Sequence, residues 1–257
     1  MKINIYKGSD LEGVRTAAQA SAYVLQRLCE AVTPGMSTLD VDRLAAEFIK
    51  ETGGKSAFLN YHGYPGQICC SINEVVVHGI GRADKIINPG DIVSLDVGVT
   101  VGGFTGDNAR SVIAGGPAVS TPLKDRLLDA TRRSLEAGIA AARPGNRVCD
   151  IGSAVEKVVK EAGFSVVRDM VGHGCGRKMH EDPQVPNYKL PGFSPELKPG
   201  MILAIEPMVN VGTWKITIDK EDGWTVRTQD GSLSAHFEHQ ILITQKDAEV
   251  LTWPKNA

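Results

Sequence analysis

The sequence predicts an α/β (α+β) fold built from two similar halves, each with two helices followed by a sheet of antiparallel strands. Three observations support this class: the hydrophobic period changes from helical to alternating and back, a repeat recurs after 110 residues, and acidic residues stand inside apolar strands. With 257 residues the chain can bury a full core, so we expect one domain over 1–257.

Composition and charge narrow the range of partners. The formal net charge is -2, which gives no electrostatic basis for binding nucleic acid or an anionic membrane. No apolar run is long enough for a transmembrane helix, and the first residues lack the apolar core of a signal peptide. The five cysteines are irregularly spaced, which is typical of a reducing compartment. We therefore expect a cytoplasmic protein, monomeric by default.

Four helices and two groups of strands follow from the hydrophobic pattern. Apolar residues at helical spacing predict helices over 9–32 and about 39–50, and Gly53 ends the second. Between 68 and 114 the pattern becomes β-branched runs bounded by Gly, Pro and Asn, which predicts strands. Two more helices are predicted near 122–142 and 150–162, and strands return after 164.

The repeat is visible in the letters as well as in the element order. When residues 31–54 are placed over 141–164, seven of the 24 positions are identical. The same shift carries Asp96 in "VSLDVG" onto Glu206 in "LAIEPM". A period this long predicts two fused half-domains related by a pseudo-two-fold axis. A site between the halves would then receive one carboxylate from each.

The segment around Asp96 and Asp107 predicts a β-hairpin with two acids on it. "VGVTVGGFTG" contains the Gly-Gly pair of a tight turn. If the turn centres near Gly102, the two acids lie opposite each other within a residue, with Cβ atoms about 5 Å apart. Carboxylates so close repel unless a cation lies between them. An exposed turn position is an equally good interpretation of Asp107 alone.

Three further residues extend this acidic set. Glu206 and Glu238 both stand in apolar strands, where an acid needs a partner. His173 lies between Gly172 and Gly174, and a lone histidine there is more often a core residue than a ligand. Together, however, four carboxylates and one imidazole match the donors for two divalent ions. These donors suit Mn²⁺, Fe²⁺, Co²⁺ or Zn²⁺ better than Ca²⁺.

The ordered motifs resemble the type I, bacterial form of the methionine aminopeptidases, in the creatinase-like "pita-bread" superfamily. The resemblance spans nearly the whole chain and rests on "YHGYPGQICCSINEVVVHGI", "GHGCGRKMHEDPQVPNY", "AIEPM" and "FEH". It implies a single catalytic domain with the pita-bread fold, whose duplicated halves run roughly over 10–115 and 120–250 around a central metal site.

The resemblance also implies roles for individual residues. Asp96 and Asp107 would chelate one ion, Glu238 would bridge to the second, and His173 and Glu206 would complete the other site. The reaction would be hydrolysis of the first peptide bond by a water that the ions activate, with Glu206 as general base. His180 would stabilise the oxyanion and His78 would contact the scissile amide nitrogen. The site would hold two divalent ions, which could be Co²⁺, Mn²⁺, Fe²⁺ or Zn²⁺.

The implied substrate is the N-terminus of a nascent polypeptide that begins with methionine followed by a small residue. The residues expected to bind it, besides His78 and His180, are Tyr61, Tyr64, Cys69, Met179, Trp224 and His62. Three positions depart from the usual family motifs: Met179 replaces a phenylalanine, Asn108 a threonine and His236 a glutamine. Because Lys2 is large, we expect the chain to keep its own Met1.

Two alternatives share the fold. A proline-specific aminopeptidase would use the same five ligands, but such enzymes usually carry an additional N-terminal domain. A non-catalytic binding module would typically have lost ligands, whereas all five are present here. The resemblance also implies a place near the ribosome, although no basic patch in the sequence supports it.

Overall fold

The computed structural model describes residues 2–254 as a mixed α/β fold in which helices cover the outer face of a curved antiparallel sheet. The prediction about Met1 lies outside these residues. Helices in this range are α1 (Gly8–Ala31), α2 (Thr38–Glu51), α3 (Pro122–Ala141) and α4 (Val148–Glu161). None of them combines the length and apolar character needed to cross a membrane.

The strands fall into two groups, separated by α3 and α4. The first group is β1 (Lys55–Ser56), β2 (Cys69–Ile72), β3 (Val75–Val77), β4 (Ile92–Val101) and β5 (Phe104–Ile113). The second group is β6 (Ser165–Val166), β7 (Gly172–Gly174), β8 (Glu181–Val185), β9 (Ile202–Ile205), β10 (Met208–Asn210), β11 (Ile216–Ile218), β12 (Val226–Thr228), β13 (Ser234–His236), β14 (Glu238–Ile243) and β15 (Ala248–Val250).

The helices begin where the sequence supplies capping groups. Ser37 and Asp40 form a capping box at the start of α2, which satisfies two backbone donors that the first turn would leave free. Thr121 caps α3, and Pro122 follows at its first position. Helix α1 lies directly on β5: a Cβ at Gly106 would stand 2.1 Å from the carbonyl oxygen of Ala17. The backbone next to Asp107 is therefore held against α1.

The β4–β5 hairpin forms as predicted, but its register differs. Its loop is Gly102 and Gly103, both at positive φ, which is the tight turn that suits the twist of a hairpin. Because the turn centres between Gly102 and Gly103, Asp107 pairs with Gly98, and Asp96 pairs with Ala109. The prediction that the two acids lie opposite each other within a residue is wrong. They are offset by two positions, and so still share one face of the pleated pair.

The main sheet joins the two parts of the chain. Its strands follow the order β1-β4-β5-β14-β9-β7-β8, with β15 also paired to β14 and β2 to β4. Two three-stranded sheets, β13-β10-β6 and β11-β12-β3, flank it, and the pairings between these named strands are all antiparallel. The four helices and the antiparallel class match the sequence-based expectation. The internal duplication within one domain stays a prediction.

Candidate metal centre and active site

Five neighbouring strands of the main sheet each place one of the predicted ligands at a common point. In sheet order they carry Asp96 on β4, Asp107 on β5, Glu238 on β14, Glu206 just after β9 and His173 on β7. Strand β14 comes last in sequence among these but lies between β5 and β9, where Glu238 pairs with Ala109. The fold therefore assembles one cluster from residues up to 142 positions apart.

The donor atoms form two groups that share one residue. Asp96, Asp107 and Glu238 each offer an oxygen, and these oxygens lie within 4.8 Å of one another. The same holds for donor atoms of His173, Glu206 and Glu238. The Nε2 atom of His173 is 3.3 Å from Oε1 of Glu206 and 3.6 Å from Oδ2 of Asp107. Glu238 thus belongs to both groups.

Burial makes this cluster electrostatically costly without a cation. Asp107 and Glu238 are almost completely buried, and burial raises the pKa of both, with each further raised by a neighbouring carboxylate. Burial and the charge on Asp107 also raise the pKa of Glu206. One oxygen each of Asp96, Asp107 and Glu238 has no hydrogen-bond partner among the described residues. Buried unpaired carboxylate oxygens fit divalent cations.

His173 is held in the tautomer that a metal ligand requires. Its Nδ1 atom lies 2.9 Å from the carbonyl oxygen of Gly174, and a carbonyl can only accept. The hydrogen therefore sits on Nδ1, and Nε2 presents its lone pair to the carboxylates. Burial and the neighbouring His180 lower the pKa of His173 to about 3, so the ring is neutral. The donor set as a whole fits divalent transition ions.

The glycines beside His173 are needed for contact with the neighbouring strands. A Cβ at Gly172 would lie 2.3 Å from the carbonyl oxygen of Ala204 on β9, and one at Gly174 would lie 2.4 Å from that of Asp182 on β8. Neither glycine has a positive φ, so the requirement is space and not backbone conformation. The two glycines allow three strands to pack closely around His173.

His180 stands at the mouth of the site, beside the cluster. Its ring lies edge-to-face on His173 with centroids 4.2 Å apart, and its Nδ1 atom shares a 2.7 Å hydrogen bond with the hydroxyl of Tyr61. The preceding loop is held by Glu181, whose carboxylate accepts hydrogen bonds from the Tyr6 hydroxyl and from the backbone N–H of Lys178. His180 is thus positioned from both sides.

A cavity of about 160 Å³ has the five proposed ligands in its lining, and the rest of its wall is largely apolar. The rings of Tyr64 and Trp224 meet edge-to-face in its wall, and His78 packs against the other side of Trp224. The predicted binding residues that line it are Tyr61, Tyr64, Cys69, His78, Met179, His180 and Trp224. His62 is exposed and does not line it, but its ring meets that of Tyr61 edge-to-face.

The sequence missed several residues of this cavity. Its lining also includes Phe58, Val77, Met170, Val171 and Met208. These are apolar residues without a distinguishing motif, so only the fold reveals them. Cys175 was also missed. Its Sγ atom lies within 4.8 Å of donor atoms of Asp107 and His173. The thiol donates a hydrogen bond to the carbonyl oxygen of Thr105, at 3.7 Å. The signal was its position two residues after His173, immediately beyond the end of β7.

The three departures from the family motifs lie in different surroundings. Met179 is buried in the apolar wall beside Phe58 and Tyr64. Asn108 points away from the cluster and accepts a hydrogen bond from Ser21 of α1. His236 is buried rather than facing solvent, and its Nε2 atom lies 3.8 Å from Oε2 of Glu206. Of the three, it alone directly approaches a proposed ligand.

A donor set able to hold metal ions, in a cavity with largely apolar walls, suits a peptidase that uses metal ions. The chain belongs to metallopeptidase family M24, whose model matches residues 12–245. Membership in this family makes the chain a hydrolase.

Several similar proteins within that family are methionine aminopeptidases. The chain is 44% identical over 257 residues to a methionine aminopeptidase of Escherichia coli, covering 100% of this chain and 96% of the relative. It is 43% identical to one of Clostridium acetobutylicum, covering 97% and 98%. The crystal structure of a methionine aminopeptidase of Thermotoga maritima superposes with a TM-score of 0.93 at 43% identity, covering 98% and 99%.

A more distant likeness concerns the fold alone. Prolidase from Pyrococcus furiosus superposes with a TM-score of 0.77 at 21% identity, and the match covers 98% of this chain but 66% of the prolidase. Together with the Thermotoga structure, it confirms the pita-bread fold expected from the sequence.

Proposed function

We propose that this protein removes the N-terminal methionine from polypeptides by hydrolysing the first peptide bond when the next residue is small. The observation that carries this proposal is the cluster of four buried or half-buried carboxylates and one imidazole, which lines a cavity with largely apolar walls. A cavity of this kind accepts an unbranched thioether side chain, and the similar proteins bear the corresponding name.

The proposed cofactor is a pair of divalent ions, Co²⁺, Mn²⁺, Fe²⁺ or Zn²⁺. Asp96, Asp107 and Glu238 would hold one of them, and His173, Glu206 and Glu238 the other, in line with the two groups of donor atoms. When bound, such ions lower the pKa of a water molecule and polarise a carbonyl group.

The protein's own residues would handle protons and position the substrate. Glu206 is the proposed general base, which takes a proton from the attacking water and passes it to the leaving nitrogen. His180, held by Tyr61, would donate a hydrogen bond to the developing oxyanion from its Nε2–H. His78 lines the same cavity and would contact the scissile amide. Because burial and His180 lower the pKa of His78 to about 4, it would act as a neutral imidazole.

The substrate would lie with its methionine in the cavity and its chain leaving past His180. The wall that would receive the side chain is formed by Tyr61, Tyr64, Cys69, Met179 and Trp224. His62, exposed beside Tyr61, would face the residue after methionine. We also propose that the substrates are nascent polypeptides met near the ribosome, and that the enzyme works as a cytoplasmic monomer with one catalytic domain.

Three peptides test this proposal. Protein loaded with Mn²⁺ is incubated with Met-Ala-Ser, Met-Lys-Ser and Ala-Pro-Ser, and the free amino acids are measured by chromatography. We expect methionine from Met-Ala-Ser alone. Cleavage of Ala-Pro-Ser alone would transfer the proposal to a proline-specific aminopeptidase, and cleavage of none of the three would favour a binding module.

A further inference from the structure

His236 is a buried polar side chain that the proposed reaction does not use. Its side chain is 2% exposed, and its Nε2 atom has no hydrogen-bond partner among residues 2–254. A buried ring nitrogen without a partner is costly, and such groups in native proteins call for an explanation. The nearest group in an ion-pair relation to this nitrogen is Oε2 of Glu206, at 3.8 Å.

The backbone of His236 is fixed, so the ring has little freedom to turn elsewhere. The hydroxyl of Ser111 donates to the His236 carbonyl oxygen at 2.9 Å and accepts from the His236 N–H at 2.9 Å. Ser111 in turn shares a hydrogen bond with Ser94 across the β4–β5 hairpin. On the other side His236 pairs with Met208, two residues after Glu206. Contacts with β5 and β10 therefore hold the imidazole beside Glu206.

Glu206 lies between two imidazoles. Its Oε1 atom is 3.3 Å from Nε2 of His173, on the side of the metal cluster, whereas Oε2 faces His236. The backbone carbonyl oxygen of Glu206 accepts a hydrogen bond from Asn187, which holds the main chain and does not involve the carboxylate. Among the described contacts, His236 is the group that approaches the second oxygen.

The ring is suited to donate a hydrogen bond. A neutral imidazole carries one N–H, and Nε2 faces a carboxylate oxygen, which can only accept, so Nε2 is the nitrogen placed to donate. A hydrogen bond to oxygen needs about 2.7–3.2 Å, so a side-chain adjustment of less than about 1.1 Å would close the 3.8 Å gap. A neutral donor stabilises an ionised carboxylate without placing a second positive charge beside the metal ions.

We propose that His236 is a positioning residue for Glu206, donating Nε2–H to Oε2 so that Oε1 stays directed at the metal cluster. This inference rests on the proposed function for its catalytic consequence, since Glu206 is the proposed base. Its consequence for metal binding is independent of any substrate. Partners that orient a ligand in this way typically change metal affinity by about 10–100-fold when they are lost.

The test compares four proteins by calorimetric titration with Mn²⁺ after chelator treatment: wild type, His236→Leu, His236→Gln and His239→Gln. His236→Leu introduces an apolar side chain of similar size and removes the donor, whereas His236→Gln keeps an N–H donor. His239 is the matched control because it stands on the next strand, three residues away, and contacts Thr252 and Trp253 instead of the cluster. Melting temperatures of the metal-free proteins report whether each variant folds.

We expect His236→Leu to weaken Mn²⁺ binding by about 10–100-fold, while His236→Gln and His239→Gln bind like wild type. At saturating Mn²⁺, His236→Leu should lower kcat for Met-Ala-Ser with little change in KM. Unchanged affinity in His236→Leu would overturn the proposal, and so would equal losses in the Leu and Gln variants. If His236→Leu does not fold, His236→Met makes the same comparison.

The metal titration also separates this inference from the proposed function. Altered Mn²⁺ affinity in a protein that cleaves no peptide would support the role of His236 and reject the aminopeptidase activity. Active wild-type enzyme together with unaltered Mn²⁺ affinity in His236→Leu would support the aminopeptidase activity and reject the role of His236.

Discussion

Substitution of Gly174 by alanine should disable the site by moving His173, although Gly174 itself contacts no substrate. The new Cβ would lie 2.4 Å from the carbonyl oxygen of Asp182, whereas ordinary contact begins at 3.4 Å. Strands β7 and β8 must therefore separate locally by about 1.0 Å. That movement should displace His173 more than any other ligand. Its Nδ1 atom is hydrogen-bonded to the Gly174 carbonyl oxygen, and its Nε2 atom lies 3.3 Å from Oε1 of Glu206.

The expected magnitudes follow from that displacement. A misplacement of about 1 Å costs roughly 100-fold in rate, and metal–ligand distances tolerate only about 0.2 Å. We therefore expect Gly174→Ala to lower kcat for Met-Ala-Ser about 100-fold and to weaken Mn²⁺ binding. Crowding of this kind also costs about 1–3 kcal/mol in the free energy of unfolding. For a chain of this length, each kcal/mol lowers the Tm by about 2–4 °C.

The assay combines steady-state kinetics, Mn²⁺ titration and thermal unfolding of the same preparations. Gly54→Ala is the control: its Cβ would meet side-chain atoms of Val99 and Thr52 at 2.7 and 3.0 Å, whereas the Cβ at position 174 would meet a backbone carbonyl between two strands. We expect it to change Tm but not kcat or metal affinity. If Gly174→Ala retained wild-type kcat and wild-type metal affinity, the argument that strand packing positions His173 would be refuted.

Three further predictions concern the ions, the histidine at the mouth and the pocket. Mn²⁺ at 100 times its Kd should raise the free energy of unfolding by about 2.7 kcal/mol and the Tm by roughly 5–11 °C, as measured by calorimetry. The Asp107→Asn variant should lose most of that shift in Tm. Tyr61→Phe removes the hydroxyl bonded to His180, worth about 0.5–1.5 kcal/mol, so kcat should fall about 2–10-fold with KM unchanged; a change confined to KM would contradict this role. Met179→Ala removes apolar wall worth about 1–2 kcal/mol, so KM for Met-Ala-Ser should rise about 5–30-fold in steady-state assays, and an unchanged KM would place methionine elsewhere.

The sequence was most informative where a residue conflicts with its surroundings. Asp96, Glu206 and Glu238 could be singled out because each interrupts an apolar strand, and burial of a carboxylate demands a partner. The helices were predictable because their periodicity and caps are local. The hairpin was predictable because Gly102 and Gly103 fit few other turns.

Other features depend on contacts between distant parts of the chain. The insertion of β14 between β5 and β9 brings Glu238 to Asp107, and no local pattern encodes that order. The hairpin register was misjudged because the sequence allowed the turn to close at either of two neighbouring positions. The burial of His236 follows from the pairing of β13 with β10 and from the hydrogen bonds of Ser111, which are likewise nonlocal.

The most direct test of the central claim is methionine release from Met-Ala-Ser by chelator-treated protein as Mn²⁺ is added back. The account predicts no release without metal, and release that rises with the occupancy of the cluster. Full activity in the continued presence of the chelator would contradict it. So would the absence of released methionine at saturating Mn²⁺, Co²⁺, Fe²⁺ and Zn²⁺ alike.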